Sequence, residues 1–249
     1  MVQTVEQDST HHSQASKKAV MANPYFTTAT LKFLRDLENN NKREWFHENK
    51  QTYEDIVRGP SLAFIEDIAP RLQLISPRFL AIPKKMGGSL KRIYRDVRFS
   101  KDKTPYKTNI GIQFLHEAGK DAHSPCYYLH IQNGHFFLGA GIWRPDSTAL
   151  GKIRDAIVEK GEKWIAARDD KHFKTGFMLG GESLKNGPRG YPKDHPLLED
   201  LKRKDFIAIY EITQKDILSS GFMDEALTQF QNAEEYMRFL CAALGIRFD

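Results

Sequence analysis

The side chains best suited to binding chemistry are concentrated in one segment, residues 84–107. This segment holds nine basic side chains but only two acidic ones, Asp96 and Asp102. The basic members are Lys84, Lys85, Lys91, Arg92, Arg95, Arg98, Lys101, Lys103 and Lys107. The excess of positive over negative charges in this segment is larger than that of the whole chain, whose formal net charge is +5. A positive excess concentrated in this way indicates an anionic partner.

Residues 92–99 alternate in character and predict a β-strand with two different faces. The predicted core face carries Ile93, Arg95, Val97 and Phe99. The opposite face carries Arg92, Tyr94, Asp96, Arg98 and Ser100. Guanidinium groups spaced two residues apart, around a carboxylate that orients them, suit the recognition of phosphate or carboxylate groups. The alternative is an exposed strand whose charges only solvate it or protect a sheet edge.

The loop after this strand adds side chains that could complete an anion site. The candidate ligand-binding residues of strand and loop are Arg92, Tyr94, Arg98, Ser100, Lys101, Lys103, Tyr106 and Lys107. Upstream, Gly87-Gly88-Ser89 forms a turn whose backbone amides could face an anion. This turn is not a P-loop, because no Gly-Lys-Ser/Thr follows at the required spacing.

Arg95 is the exception on the predicted core face. A buried arginine needs a carboxylate or several carbonyl groups around it. We therefore expect Arg95 either to form a structural ion pair, with Glu44 or Asp102 as its partner, or to belong to the site.

A second candidate surface comes from a predicted β-hairpin over residues 126–132 and 135–143. Asn133-Gly134 between the two strands predicts a two-residue type I′ turn. With that turn, the face away from the core carries Tyr128, His130, Gln132, Gly139 and Gly141. Glycine in a strand indicates close approach of a ligand or another backbone, or else it relieves crowding under a covering helix.

His130 is the first candidate for a general acid or base, because the reference pKa of histidine, about 6.5, lies near neutral pH. Asp96 is the second candidate, and Tyr128 joins the ligand-binding set beside His130. The histidines lack the paired spacing of common metal sites, and neither a dinucleotide-binding fingerprint nor a nucleophile elbow occurs. The sequence therefore predicts no metal and no cofactor, and it leaves open whether the protein is an enzyme.

Helical periodicity precedes and follows the strands that must position these side chains. The predicted helices cover residues 28–38, 42–57, 61–72, 148–160, 197–204 and 221–245. Gly59-Pro60 is predicted to break the second helix, and Pro70 to stop or kink the third. The second helix also carries a charged stripe of Arg43, Glu44, Glu48 and Lys50.

The strands lie between these helices. Strands are predicted over residues 92–99, 109–116, 126–132, 135–143 and 206–212, and a long loop over residues 176–196. This order predicts an α+β fold with N-terminal helices, a central antiparallel β-meander and C-terminal helices.

Length and composition are those of a globular protein of ordinary size. Residues 1–23 are predicted to be a disordered tail and residues 24–249 a single α+β domain. Two cysteines provide no disulfide framework and favour a reducing compartment, so we expect a cytoplasmic protein. No apolar run approaches the roughly 20 residues of a membrane span, so no membrane partner is expected.

Several strings of the sequence resemble one protein family. They are NNKREWFHENKQTYED, GGSLKRIYRDVRFSKDKTPYKTNIG, YYLHIQ, FLGAGIWRP and DHPLLEDLKRKDF. In this order they resemble the family called domain of unknown function 2461, which occurs in bacteria and fungi. The resemblance implies a single-domain protein and the same central motif, and it names no substrate.

Three functions from different classes fit these observations. The first is binding of a small phosphorylated or otherwise anionic ligand, with or without a reaction. The second is a nucleic-acid-binding module, because basic residues interleaved with aromatic ones can follow a phosphate backbone and stack on bases. The third is a protein-interaction scaffold that recognises an acidic partner. The oligomeric state does not follow from the sequence.

Overall fold

The computed structural model describes residues 22–119 and 123–249, so the predicted disordered tail lies almost wholly outside the described chain. The first described residues are attached to the C-terminal half of the protein. Ala22 pairs with Ser219 in an isolated antiparallel bridge, and the side-chain amide of Asn23 donates to the carbonyl of Ile217 at 2.7 Å.

Helices form the N-terminal part of the fold. They are α1 (Thr28–Asn39), α2 (Arg43–Glu48), α3 (Lys50–Tyr53), the π-helical turn Glu54–Arg58 and α4 (Gly59–Ile75). Thr27 caps α1 because its hydroxyl accepts a hydrogen bond from the backbone of Thr30.

Two predicted helix boundaries in this region are wrong. The chain stays helical through Gly59-Pro60, since Pro60 lies in the first turn of α4, where a missing N–H removes no helical hydrogen bond. Helix α4 also continues past Pro70 to Ile75, so of the two alternatives given for Pro70 the stop is wrong. Ile68 and Leu72, on either side of Pro70, are both 0% exposed, so their burial outweighs the lost hydrogen bond.

A six-stranded antiparallel sheet lies at the centre of the molecule. Its strands are β1 (Phe79–Leu80), β2 (Asn109–His116), β3 (Cys126–Gln132), β4 (His135–Ile142), β5 (Phe177–Gly180) and β6 (Phe206–Ile212). The spatial order is β1-β2-β3-β4-β6-β5, so the predicted meander of β2, β3 and β4 and the strand at 206–212 are confirmed.

The register of the central hairpin is also confirmed. Gln132 pairs with His135 and Tyr128 pairs with Gly139, as a two-residue Asn133-Gly134 turn requires. The predicted core residues on its other face, including Tyr127, are buried.

Helices of the C-terminal half cover that core face. They are α5 (Ser147–Glu159), α6 (Gly161–Arg168), α7 (Lys171–Lys174), α8 (Leu198–Leu201), α9 (Gln214–Ile217), α10 (Phe222–Asn232) and α11 (Glu234–Leu244). Tyr127 of β3 packs on Phe230 of α10, with 4.8 Å between ring centroids. The fold is therefore α+β, with helices before and after an antiparallel sheet, as predicted.

Two details of the C-terminal half differ from the prediction. The loop expected over residues 176–196 contains β5, whose four residues are too few to show an alternating pattern. The long final helix is interrupted at Ala233, which separates α10 from α11. Among the described residues, no helix combines the length and apolar character needed to cross a membrane.

Candidate functional site

The basic segment forms an irregular two-armed ribbon, so the strand predicted over residues 92–99 is wrong. One arm is residues 93–95 and the other is residues 105–107. The backbone N–H of Lys107 donates to the Ile93 carbonyl at 2.7 Å, and that of Arg95 donates to the Pro105 carbonyl at 2.9 Å. Tyr94 pairs with Tyr106 between these two bonds. Residues 96–104 connect the arms and are called the ribbon tip.

The predicted division into a core face and a polar face holds only within the paired arm. Ile93 is buried, as expected. Phe99, placed on the same core face by the alternating pattern, is 96% exposed. Alternation controls burial only where a strand is paired and packed, and residues 96–99 have no partner strand.

The ribbon extends from the edge of the sheet beside β2. Leu90 pairs with Ile112 in an isolated bridge, and the N–H of Lys91 donates to the Gly111 carbonyl at 2.8 Å. These contacts fix the backbone of Lys91 at the point where the first arm begins.

Helix α2 holds the second arm from the other side. The side chain of Asn41, just before α2, donates to the Tyr106 carbonyl at 2.9 Å and accepts from the Tyr106 N–H at 3.1 Å. The ring of Phe46 stacks on that of Tyr106, with 4.2 Å between centroids and 25° between planes. The arms are therefore attached both to the sheet and to the helical layer.

Two of the three cations of the ribbon tip, Arg98 and Lys103, have partners within the tip. Arg98 makes two hydrogen bonds to Asp96, Nε to Oδ1 at 2.9 Å and another nitrogen to Oδ2 at 2.6 Å. The Lys103 ammonium donates to the Val97 carbonyl at 2.9 Å. The arginine–aspartate pair that the sequence suggested is present, but both side chains are exposed and each already engages the other.

The hydrogen bonds to Arg98 make Asp96 a poor general acid or base. Its side-chain bonds to Arg98 lower the pKa of Asp96 to about 2. A carboxylate with such a pKa stays ionised at neutral pH and is a weak base there. Of the remaining tip candidates, Ser100 is half-buried and Lys101 is exposed.

Arg95 forms the ion pair that the sequence analysis offered as one alternative. Its guanidinium hydrogen bonds to Asp102 and to the Thr104 hydroxyl. The pKa of Asp102 is lowered to about 2, first by the backbone N–H of Thr104 and then by Arg95. Asp102 is thus the partner, and the pair joins the ribbon tip to the first arm.

Lys91, Arg92 and Lys107 lie together where the ribbon leaves the sheet, and we call these three side chains the base cations. Burial lowers the pKa of the half-buried Lys107 ammonium, and the charges of Lys91 and Arg92 lower it further. Within the described chain, the Lys107 side chain has no ion pair and no hydrogen bond. The exposed Arg92 is near enough to Asp96 to contribute to the lowering of the pKa of that carboxyl.

Neutral polar groups occupy the sheet face next to the base cations. Asn109 Nδ2 donates to His130 Nδ1 at 3.4 Å, and the Tyr128 hydroxyl approaches the same nitrogen at 3.4 Å. His130 Nε2 lies 3.1 Å from Gln132 Oε1. All three contacts are satisfied by one assignment, the neutral tautomer with its proton on Nε2.

This environment keeps His130 neutral at pH 7. Burial lowers its pKa, the bond to Gln132 raises it and His135 lowers it, with a net downward shift. The ring also stacks on Phe137, with 4.7 Å between centroids. Because both ring nitrogens are already engaged, the arrangement favours a structural role over proton transfer.

The strand glycines serve the protein's own packing. A Cβ on Gly111 would lie 2.5 Å from the Tyr128 hydroxyl, so its absence admits that side chain. Gly141 has a φ of +124°, and a Cβ there would lie 2.0 Å from the Phe206 carbonyl oxygen. Of the two explanations for a strand glycine, the close approach of another backbone applies to Gly141.

A cleft of about 680 Å³ lies between α2 and the ribbon, and we call it the α2 cleft. Its lining residues are Arg43, Glu44, Phe46, His47, Glu48, Lys50, Tyr94, Arg95, Val97, Pro105 and Tyr106. Three of these, Tyr94, Arg95 and Tyr106, were identified from the sequence. The α2 side chains were missed as site residues, although the charged stripe on the second predicted helix was their signal.

Comparison with known proteins identifies one family. The family model described as "Conserved hypothetical protein (DUF2461)" matches residues 29–239 of the chain. The match covers most of the chain, so the protein belongs to this family, as the sequence strings indicated. No curated protein and no solved structure matches the chain.

Proposed function

We propose that this member of the DUF2461 family binds a small phosphorylated or otherwise anionic ligand at the ribbon base, through Lys91, Arg92 and Lys107. One observation carries the proposal. The half-buried ammonium group of Lys107 has no ion pair or hydrogen bond in the described chain, and it lies beside two further cations, Lys91 and Arg92.

The energetics of that arrangement favour an anion. Withdrawing a cation from water costs free energy unless a partner compensates, and adjacent like charges add to the cost. A phosphate or carboxylate bound among the three groups would compensate both the cost of withdrawing Lys107 from water and the repulsion between the cations. The backbone bonds of Lys91 to Gly111 and of Lys107 to Ile93 fix the main chain from which two of the cations extend before a ligand arrives.

The neighbouring sheet face suits the rest of a small ligand. Asn109 and Tyr128 offer an amide and a hydroxyl, each of which can make further hydrogen bonds besides its contact with His130. Such groups hydrogen bond to uncharged hydroxyls or carbonyls without adding charge. A ligand with one anionic end and a polar body fits this combination.

One observation favours the nucleic-acid alternative, and it concerns the ribbon tip. Phe99 is 96% exposed, the Arg98 guanidinium lies 5.9 Å from its ring centroid, and Lys101 and Lys103 follow. An exposed aromatic ring among cations can stack on a base of a single strand. This alternative uses the tip, whereas the small-ligand proposal uses the base.

Thermal unfolding with a ligand panel tests the proposal. The panel contains inorganic phosphate, sugar phosphates, nucleotides, dicarboxylates and a short single-stranded oligonucleotide. A ligand at 100 times its Kd stabilises the native state by about 2.7 kcal/mol, which corresponds to roughly 5–10 °C for a chain of this size. We expect one class of small anion to give such a shift.

Two matched lysine variants then locate the binding site. Lys107→Met should remove the shift, and Lys103→Met should retain it. Equal responses of the two variants would contradict a site at the ribbon base. A shift caused only by the oligonucleotide, with an affinity that falls steeply with log salt, would instead support the nucleic-acid alternative.

A further inference from the structure

The α2 cleft is separate from the base cations. Tyr106, which lines the cleft, and Lys107, which belongs to the base, are consecutive residues of one extended arm. None of the three base cations lines the cleft, which therefore needs its own explanation.

Tyr106 is a buried residue whose hydroxyl group is accessible at this cleft. The residue is 5% exposed, yet its hydroxyl has no hydrogen-bond partner in the described part of the chain. Its backbone is held at both N–H and carbonyl by Asn41, so the ring cannot move away without breaking those bonds. The hydroxyl is not among the sealed, unpartnered polar atoms of the described chain, so it reaches solvent at the cleft and can hydrogen bond to a ligand atom there.

Charges of both signs lie close to that hydroxyl. Burial raises the pKa of Tyr106 and Tyr94 raises it further, whereas Arg43 lowers it and Glu44 raises it. Arg43 and Glu44 both line the cleft, and neither has an ion pair among the described residues. One cation and one carboxylate therefore line the same cleft as this hydroxyl.

Helix geometry explains why Arg43 and Glu44 do not neutralise each other. They are consecutive residues of α2, and consecutive helical side chains point about 100° apart. Pairs that meet on a helix are three or four residues apart. Each of the two groups remains available to a ligand that carries the opposite charge.

The ribbon side of the cleft is largely apolar. Tyr94 is 49% exposed, and its ring centroid lies 5.5 Å from that of Tyr106 and 6.3 Å from that of Phe46. Val97 and Pro105 also line this side. Arg95 lines it too, but Asp102 already neutralises its charge.

We infer that the α2 cleft binds a free α-amino acid with an aromatic or aliphatic side chain, its ammonium group on Glu44 and its carboxylate on Arg43. The Tyr106 hydroxyl hydrogen bonds to the same carboxylate or ammonium group, and the ligand side chain packs on Tyr94, Val97 and Pro105. The cleft volume of about 680 Å³ falls in the range of small-molecule sites.

The charge pattern selects a zwitterion over a simple anion or cation. A ligand with only one charge would be attracted by one of the two exposed groups, Glu44 or Arg43, and repelled by the other, so it would bind less tightly than a zwitterion. The inference does not depend on the base cations, because it uses none of them.

Isothermal titration calorimetry with three related compounds tests the inference. Phenylalanine carries both charges, phenylalaninamide only the positive one, and N-acetylphenylalanine only the negative one. Leucine, tryptophan and glycine extend the panel to other side chains. We expect phenylalanine, tryptophan or leucine to bind at least tenfold more tightly than glycine and than the two singly charged compounds.

Matched variants connect the binding to the cleft. Glu44→Gln and Arg43→Gln should each weaken the binding at least tenfold, and Tyr106→Phe should weaken it without changing the unfolding temperature by more than a few degrees. Glu66→Gln on α4 and Arg35→Gln on α1 are the controls, since both side chains are exposed and lie outside the cleft.

Three outcomes would overturn the inference. They are no binding by any of the amino acids, equal binding of phenylalaninamide or N-acetylphenylalanine, and binding that survives both Glu44→Gln and Arg43→Gln. None of these results affects the phosphate response of Lys107→Met, so failure here is distinct from failure of the proposed anion site.

Discussion

The tip and the base of the ribbon contain the same kinds of charged side chain in different surroundings. At the tip, Arg98 binds Asp96 with two hydrogen bonds and is exposed. At the base, the half-buried Lys107 has Lys91 and Arg92 as its nearest charges. The comparison shows that the number of cations in a segment does not locate an anion site. What matters is whether a cation is withdrawn from water without a compensating partner, as Lys107 is.

The two regions also differ in how they are packed. Around the arms, Phe46 is 3% exposed and stacks on Tyr106. At the tip, Phe99 is 96% exposed. The arms are part of the core, so the backbone of the base cations is fixed by the fold, whereas the tip adds little to the packing.

Replacing one phenylalanine in each region should give the largest contrast. We expect Phe46→Ala to lower the free energy of unfolding by about 3–5 kcal/mol, because it removes a buried ring and leaves a cavity. Phe99→Ala should change it by less than about 0.5 kcal/mol. Urea denaturation with an unchanged m-value measures both. A loss from Phe99→Ala as large as that from Phe46→Ala would show that the tip is packed in solution.

An arginine pair tests the same contrast in ligand affinity. Arg92→Met should weaken the binding of the anion selected by the thermal panel at least tenfold, because it removes a base cation. A tenfold loss of affinity corresponds to about 1.4 kcal/mol of binding free energy. Arg98→Met should change the affinity less than about twofold, since Asp96 already engages that guanidinium. Calorimetric titration of both variants gives the comparison. The reverse order of the two effects would move the site to the tip.

A lysine pair tests the ligand-free protein, where the expected effect is smaller and of the opposite sign. Removing the Lys107 charge relieves its burial and its repulsion by Lys91 and Arg92, so Lys107→Met should raise the free energy of unfolding by about 0.5 kcal/mol. Lys103→Met should not raise it, because it removes the bond to the Val97 carbonyl. Thermal denaturation in a buffer without phosphate measures both effects. A loss of stability from Lys107→Met would contradict the view that the uncompensated charge of Lys107 destabilises the ligand-free protein.

The smallest expected effect concerns pH. The pKa of both Asp96 and Asp102 is lowered to about 2, by bonds from Arg98 and from Thr104 and Arg95 respectively. A carboxyl with a depressed folded-state pKa stabilises the fold above its unfolded pKa, and the contribution disappears as pH falls through the folded value. NMR titration should therefore show both tip carboxylates still ionised at pH 3. Ordinary titration near pH 3.8 would mean that the tip pairs do not persist in solution.

The central hairpin was predictable because its information is local. Asn133-Gly134 fixes a two-residue turn, and the alternation on either side then sets every pair, from Gln132–His135 to Cys126–Gly141. The family was equally recognisable, because long strings of residues carry it.

The ribbon was not predictable, because its pairing and its partners are distant in sequence. Alternation over residues 92–99 predicted a strand, but only the arm at residues 93–95 finds a partner, at residues 105–107. The hydrogen bonds between Asn41 and Tyr106 join residues 65 positions apart, and they bring α2 and the ribbon together to form the cleft. The sequence provided the charged residues of the site, and only the tertiary structure shows that Arg95 and Arg98 pair with carboxylates and that Lys107 is half-buried.

The most direct test of the ribbon base is NMR of the lysine side-chain ammonium groups, titrated with pH. In the ligand-free protein, Lys107 should titrate below the usual lysine pKa of 10.5. Addition of inorganic phosphate, or of the panel compound with the largest thermal shift, should raise the pKa of Lys107 and leave that of Lys103 unchanged. Two results would contradict the proposed site: an ordinary lysine pKa for Lys107 in the ligand-free protein, or a Lys107 pKa that no anion of the panel raises.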